Sequence, residues 1–155
     1  MDVQRGGRQI LFHGMGLVLV GLIWGMVVPN TPYPRLALGA HTQFVSGGML
    51  LMVMAAVLLA LRHRVGNNSM VLMVFAAWLI WPMALSEAAN SFWGTNQMLP
   101  LAAEQANVKG GAAWQELVVK TTHIAAAIGL ILAWILLIIG FVRPADEAAA
   151  HKTNS

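Results

Sequence analysis

Four apolar runs, each long enough to cross a lipid bilayer, constrain this chain more than any other feature of its sequence. They cover residues of about 10–28, 36–61, 70–92 and 115–142. A transmembrane helix needs about 20 mainly apolar residues, and each run approaches or exceeds that length. Charged residues make up only 10% of the chain, against about 25% in soluble domains. The sequence therefore predicts an all-α integral membrane protein, with residues 1–155 forming one four-helix bundle.

The connections between these runs are short or contain helix-breaking residues. Residues 30–34 read NTPYP, and prolines at this spacing prevent a regular helix. The longest connection, 93–114, is expected to be functional, with Met98–Ala103 lying at the membrane interface as a lid. Pro82 is expected to kink the third helix. The polar residues 144–155 are predicted to form a flexible tail.

The basic residues indicate how the chain is oriented. Four spans place both termini on one side of the membrane, and the positive-inside rule makes the more basic side cytoplasmic. The side that holds the termini carries six of the nine basic residues, namely Arg5, Arg8, Arg62, Arg64, Arg143 and Lys152. Both termini are therefore predicted to be cytoplasmic. Because the basic residues stand at helix ends, the net charge of +3 indicates a lipid bilayer and not nucleic acid as the partner.

Polar residues inside the apolar runs are predicted to lie at one depth. They open the second run, close the third and open the fourth, so a four-span topology places all of them in the outer half of the bilayer. Ionisable residues inside a membrane are rare and mark functional sites by default. The predicted site is this layer, which contains His41, Glu87, Asn90, Glu116, Lys120 and His123.

His41 is the candidate metal ligand. An isolated imidazole in a membrane helix can coordinate a haem iron, and the chain has no cysteine to serve as a thiolate ligand. Gly47 and Gly48 would leave room beside it for a flat macrocycle, and close helix packing is their alternative role. Arg35 or Lys120 would neutralise the haem propionates. The alternative role of His41 is a hydrogen bond to a lipid headgroup or a neighbouring carbonyl.

Three residues are candidates for catalysis by proton transfer or substrate orientation. Glu87 is placed to donate a proton to a substrate oxygen, and its alternative role is an inter-helix hydrogen bond or ion pair, for example with Lys120. Glu116 stands four residues before Lys120, so its alternative role is an ion pair on one helix face. Asn90 lies beside Glu87 on the third helix and completes the predicted catalytic set.

Several short motifs resemble those of a known family of membrane enzymes. The third connection and the fourth run are similar to bacterial hydroxylaminobenzene mutases, and the first two runs are similar to the related styrene oxide isomerases. The motifs are HG at 13–14, LGAH at 38–41, GM at 48–49, WGT at 93–95, MLPLA at 98–102, WQELV at 114–118 and IGF at 139–141. The resemblance extends over nearly the whole chain.

The resemblance implies a small four-helix membrane isomerase that needs no external redox equivalents. For the styrene oxide branch it implies a trimer with haem b between protomers and an iron-binding histidine that corresponds to His41. Ferric iron there acts as a Lewis acid on the epoxide oxygen and gives an aldehyde. By extension, the mutase branch would polarise the N–O bond of an aryl hydroxylamine and give an aminophenol.

The chain departs from the family pattern at three positions. Gly47 stands where related enzymes often have Asn, and Trp81 and Met83 stand about where they carry Tyr and Asn. Glu87, Asn90 or Ser46 would then have to orient the substrate in their place.

The residues and the resemblance together predict a haem b-dependent isomerase of a bacterial inner membrane, assembled as a homotrimer and acting on a small apolar aromatic substrate. Hydroxylamine-to-aminophenol rearrangement is the first choice, and epoxide-to-aldehyde rearrangement is the alternative. A non-enzymatic haem-binding protein or a small transporter is the third possibility. A haem electron carrier would need a second axial ligand, for which His123 is the candidate.

Overall fold

The computed structural model describes residues 1–142 and contains no β-strand in that range. Four of its helices are long and apolar enough to cross a membrane, which confirms the predicted all-α, four-helix membrane architecture. The predicted flexible tail at 144–155 lies outside the described residues. The helices are α1 (Val3–Val27), α2 (Pro34–Ala60), α3 (Asn67–Trp93), the short α4 (Pro100–Gln105) and α5 (Ala113–Val142), with a 3₁₀ turn at Val28–Asn30.

The helix ends follow the sequence prediction except at the N-terminus. The boundaries predicted for the other three long helices are within three residues of those observed, but α1 begins at Val3 and not near residue 10. The prediction was wrong there because it took the loss of hydropathy as the end of the helix. Gly6 and Gly7 pack closely against Met70 and Leu59, so tertiary contacts extend α1 beyond its apolar run.

Two glycines bring α1 and α2 into backbone contact. A Cβ on Gly14 would lie 2.8 Å from the carbonyl oxygen of Gly48, and a Cβ on Gly48 would lie 2.7 Å from that of Gly14. Small residues allow such close packing between membrane helices. Farther along, the indole Nε1 of Trp24 donates a hydrogen bond of 3.0 Å to the carbonyl oxygen of Ala37. These contacts join α1 and α2 as a tightly packed pair.

The helix α3 is central, because it packs against α1, α2 and α5. Gly129 of α5 lies close to Ala76 of α3, while α2 and α5 are kept apart. An open apolar groove of about 510 Å³ remains between them, lined by residues such as Leu50 of α2 and Trp134 of α5.

The long connection between α3 and α5 is folded. Gly94 ends α3 in the left-handed conformation, with φ of 65°, and α4 packs on the N-terminal part of α2. Arg35 Nε donates a hydrogen bond of 2.6 Å to Gln105 Oε1 at the end of α4. The segment expected to act as a lid thus contains a short helix next to the start of α2.

Candidate functional site

Two polar residue pairs join α3 to α5 inside the apolar bundle. The Oγ of Ser86 lies 2.8 Å from Thr122 Oγ1, and Glu87 Oε2 lies 3.2 Å from His123 Nε2. Glu87 is 5% exposed and His123 is 8% exposed. The sequence shows these pairs as two polar doublets, one in each apolar run, and packing of α3 on α5 sets them side by side.

The hydrogen bonds of His123 show that the Glu87–His123 pair carries a shared proton. His123 Nδ1 lies 2.7 Å from the carbonyl oxygen of Val119, and because a carbonyl only accepts, Nδ1 must bear a hydrogen. A hydrogen bond between Nε2 and Glu87 then needs one more proton. The proton resides on the imidazole, giving an ion pair, or on the carboxyl, giving a neutral pair. Both arrangements have zero net charge, which suits a buried position.

Glu87 also lies against α2. A Cβ on Gly39 would come within 2.7 Å of Glu87 Oε1, so the absence of a side chain at Gly39 makes room for the carboxyl group. Within residues 1–142, Oε1 has no hydrogen-bond partner. The second carboxyl oxygen is therefore uncommitted.

The side-chain amide of Asn90, one helical turn from Glu87, has a hydrogen-bond donor without an acceptor in residues 1–142. Its Oδ1 accepts hydrogen bonds of 2.7 Å from both the backbone amide and the hydroxyl of Thr95. Its Nδ2 is the sole fully buried side-chain nitrogen or oxygen without a partner in the described part of the chain. A buried donor without an acceptor costs about 1–3 kcal/mol, and such positions commonly bind a water molecule or a ligand.

An apolar cavity of about 240 Å³ lies next to this polar cluster, between α2, α3 and α5. A dry cavity of about 150 Å³ is large enough for benzene, so this one accommodates a substituted aromatic ring. Gln43 is its other polar side chain, and its Nε2 is bound only to the weak acceptor Met83 Sδ at 3.3 Å. The lining includes Gln43, Ile80, Met83, Met98, His123 and Leu130.

His41 faces α1. Its Nδ1 lies 2.7 Å from the carbonyl oxygen of Gly21, and a Cβ on Gly25 would lie 3.0 Å from the imidazole. Because a carbonyl accepts, Nδ1 carries the hydrogen and Nε2 keeps its lone pair. This is the outer-shell hydrogen bond typical of metal-bound histidines, and also the expected bond of a purely structural histidine. Within the described residues Nε2 has no hydrogen-bond partner, so the imidazole fits an axial ligand of iron.

Within one chain, His41 and the cavity are on opposite faces of α2. Helical residues two positions apart point about 200° apart, and His41 contacts α1 whereas Gly39 and Gln43 contact residues of α3. The single layer predicted from the sequence is therefore divided. Glu87, Asn90 and His123 belong to one cluster, and His41 stands apart from it.

His123 does not have the geometry of a second axial ligand. Both of its ring nitrogens are engaged, one by Val119 and the other by Glu87, and α2 separates it from His41. No group of three or more His, Cys, Asp or Glu side chains suited to a metal ion is found in residues 1–142.

Glu116 organises the long connection. Its Oε1 accepts hydrogen bonds from the backbone amides of Asn96 at 2.9 Å and Gly111 at 3.1 Å, and its Oε2 accepts one from Gln97 at 3.1 Å. The expected ion pair with Lys120 is not formed, and Lys120 is exposed. The carboxylate of Glu116 is thus occupied by three amides of the 93–114 segment.

The predicted haem-contacting glycines are packing positions. Gly48 contacts Gly14 of α1, and a Cβ on Gly47 would lie 3.2 Å from Ile80 of α3. The space expected for a macrocycle at these positions is filled by neighbouring helices, as in the alternative interpretation. Arg35 is bound to Gln105.

The sequence did not predict that Glu87 pairs with His123. It suggested Lys120 as the partner of Glu87. Lys120 and His123 are three positions apart and occupy neighbouring directions on α5. Only the rotation of α5 against α3 decides which of them meets Glu87.

Four helices that could cross a membrane, with a buried carboxyl–imidazole pair beside an apolar cavity, define a membrane protein with a polar cluster inside its helical bundle. The family model described as styrene oxide isomerase matches residues 7–142, and the chain belongs to this family. It is also 30% identical over 97 residues to hydroxylaminobenzene mutase HabB of Ectopseudomonas oleovorans. That alignment covers 62% of the chain and spans 58% of the relative's length. No solved structure matches the chain significantly.

Proposed function

We propose that this protein is a membrane-bound isomerase that rearranges a small aryl hydroxylamine to an aminophenol. The observation that carries the proposal is the apolar cavity of about 240 Å³, of a size for one substituted ring, with His123 in its wall. The name of the mutase relative and the isomerase family support the class of reaction. The reaction is an isomerisation, so it needs no external oxidant or reductant.

Haem b is part of the proposal, with His41 as its axial ligand. Support comes from the fixed tautomer of His41, whose Nδ1–H is bound to Gly21 and whose Nε2 lone pair has no partner in residues 1–142. When bound, a ferric haem supplies Lewis-acid polarisation of the substrate oxygen. Lys120, or Arg35 after release of Gln105, remains the candidate to neutralise a propionate.

Absorption spectroscopy of the detergent-purified protein tests the haem site. We expect a Soret band in the wild type and its loss in His41→Ala. His63→Ala is the matched control, because His63 lies outside the long helices and both of its ring nitrogens have partners, Leu58 and Val65. A Soret band that persists in His41→Ala, or is lost equally in His63→Ala, would contradict His41 as the ligand.

Turnover tests the reaction itself. Protein in liposomes is supplied with phenylhydroxylamine, and aminophenol is measured by chromatography against protein-free liposomes. A phenyl-substituted epoxide serves as the second probe, because the family name favours it. Formation of aminophenol without added reductant supports the proposal. Conversion of the epoxide alone would replace it with the styrene oxide isomerase reaction, and conversion of neither would contradict isomerase function.

A homotrimer in a bacterial inner membrane, with both termini in the cytoplasm, completes the proposal. Its support is the family resemblance and the excess of basic residues on the side of the termini.

A further inference from the structure

We infer that the Glu87–His123 pair is the proton-transfer group of the enzyme and that the adjacent cavity holds the aromatic ring from which it takes a proton. This step rests on the proposed function and deepens it, because it identifies an aryl hydroxylamine, and not an epoxide, as the substrate class that the buried pair serves.

The two reactions differ in their need for proton transfer. In the hydroxylamine rearrangement the N–O bond breaks, a C–O bond forms at a ring carbon, and the C–H bond at that carbon breaks. The ring carbon is oxidised and the nitrogen is reduced within one molecule, while one proton moves from carbon to nitrogen. In the epoxide rearrangement a hydrogen shifts with its electron pair to the neighbouring carbon. Only the hydroxylamine reaction therefore needs a group that accepts a proton and returns it.

The pair has the atoms for this exchange. Its shared proton lies between His123 Nε2 and Glu87 Oε2, and Glu87 Oε1 is free of hydrogen bonds in the described residues. In the ion-paired form Oε1 accepts the ring proton while His123 retains its own. The same proton then returns to the substrate nitrogen, and the pair is restored.

The location of the pair makes substrate contact possible. His123 lines the cavity, and Glu87 is held between His123 of α5 and Gly39 of α2. His123 therefore forms part of the cavity wall, and Glu87 is hydrogen-bonded to it from α3. A ring in the cavity has no second titratable group in the lining to exchange protons with.

Asn90 provides an independent sign of a polar ligand. Its Nδ2 is buried without a partner, one helical turn from Glu87, on the same part of α3. A hydroxylamine group can accept a hydrogen bond from this amide and donate one to the carboxyl group. The two uncommitted atoms, Asn90 Nδ2 and Glu87 Oε1, thus match the acceptor and donor of an N–OH group.

The test compares Glu87→Gln with Ser86→Ala. Glu87→Gln preserves size and removes the carboxylate that accepts the ring proton, whereas Ser86→Ala removes the neighbouring α3–α5 hydrogen bond, to Thr122, without affecting a titratable group. General acid–base groups contribute about 10²–10⁴-fold. We therefore expect Glu87→Gln to slow aminophenol formation by about 100-fold or more, and Ser86→Ala to change it by only a few-fold.

A ring-deuterated phenylhydroxylamine provides a second readout. In Glu87→Gln, removal of the ring proton becomes rate-limiting, so the deuterium isotope effect on turnover rises above that of the wild type. Ser86→Ala leaves the isotope effect unchanged. Equal isotope effects in all three proteins, or equal losses of rate in both variants, would overturn the assignment.

The outcomes separate this inference from the proposed function. A wild-type protein that forms no aminophenol contradicts the proposed function, whereas an active wild type with a fully active Glu87→Gln contradicts only the role of the pair. If Glu87→Gln does not fold, as judged by gel filtration in detergent, His123→Gln replaces it. That variant keeps a hydrogen bond to Glu87 but removes the positively charged partner of its carboxylate. A buried carboxyl group without such a partner is neutral and does not accept the ring proton, so the same rate and isotope effects are expected.

Discussion

At the scale of single residues, Gly39 leaves the space in which the carboxyl group of Glu87 lies. It lies on α2 where that helix passes Glu87, and only the missing side chain leaves space for Oε1. A glycine in the middle of a helix weakens that helix by about 1 kcal/mol relative to alanine. Its presence here is explained by the buried carboxyl group, so Gly39 is a positioning residue.

Gly39→Ala should impair catalysis without unfolding the protein. The new methyl group would lie 2.7 Å from Glu87 Oε1, which pushes the carboxyl group out of line with His123. Misplacement of a reacting group by about 1 Å costs up to about 100-fold in rate, so we expect aminophenol formation in liposomes to fall by about 10- to 100-fold. The control is Gly66→Ala, because a Cβ there meets nothing within 4 Å. Equal rates in the two variants would contradict this role of Gly39.

The sequence identified most residues of the polar cluster but not their partners. Glu87, Asn90 and His123 were recognisable because polar groups are rare in apolar runs. The Glu87–His123 contact was not predictable, because Lys120 and His123 face similar directions on α5. The rotation of α5 about its own axis is set by contacts elsewhere along the helix, such as the packing of Gly129 against Ala76 of α3.

At the scale of secondary-structure elements, the 93–114 connection depends on one carboxylate. Three backbone amides of this segment donate to Glu116, which stands in the first turn of α5. A single acidic side chain thus links the end of α3 to the start of α5.

Glu116→Gln should loosen this connection. The neutral amide accepts through one oxygen and turns an NH₂ group towards backbone donors, and hydrogen bonds to a charged group contribute about 2 kcal/mol. We expect faster proteolysis within 93–114 and a lower Tm by tryptophan fluorescence, while the Soret band is retained. The matched control is Glu104→Gln, because Glu104 is exposed in α4. A connection that is equally resistant in both variants would contradict the role of Glu116.

Hydropathy was sufficient to predict the helices but not all of their ends. The runs predicted four spans because crossing a bilayer requires apolar length. The early start of α1 at Val3 was not predictable, because its first turns are held by contacts of Gly6 and Gly7 with α3 and α2. Such contacts depend on the assembled bundle and leave no periodic signal in the chain.

At the scale of the whole molecule, the orientation predicted from the basic residues is open to a direct labelling test. The chain has no cysteine, so single cysteines report their own position. We expect a membrane-impermeant maleimide to label Lys109→Cys in spheroplasts and to label Asn68→Cys only after lysis. Both positions are exposed, Lys109 in the connection between α4 and α5 and Asn68 in the first turn of α3. The reverse pattern would contradict cytoplasmic termini.

Subunit mixing tests whether two protomers share one site. Under the proposed function, an iron on His41 and the Glu87–His123 pair would act on the same substrate only across a contact between protomers, because α2 separates them within one chain. Random co-assembly of His41→Ala with Glu87→Gln should then restore intact sites at about one quarter of the interfaces. We expect activity of about that fraction of wild type in the co-expressed protein, and none beyond background in either variant alone. Absence of restored activity would contradict a shared site.

The fold class could be predicted from the sequence, but the neighbour that each helix face contacts could not. Depth in the membrane follows from position along an apolar run, so polar residues were correctly expected to occur near particular helix ends. The direction in which a side chain points around its helix does not follow from its position along the run. For α2 this direction is fixed by the Gly14–Gly48 contact. That contact directs His41 to α1 and Gly39 to Glu87, which a one-dimensional pattern does not reveal.

For the proposed reaction, the gap between α2 and α5 has a consequence for the supply of substrate and the release of product. The groove is lined by apolar side chains, so a ring-bearing substrate dissolved among the acyl chains would approach the protein by lateral diffusion. The membrane then works as a reservoir, in which partitioning concentrates a scarce hydrophobic compound. An aminophenol, being more polar, is drawn back to the aqueous boundary, so the two compounds are separated by their solubility and the traffic is biased towards release.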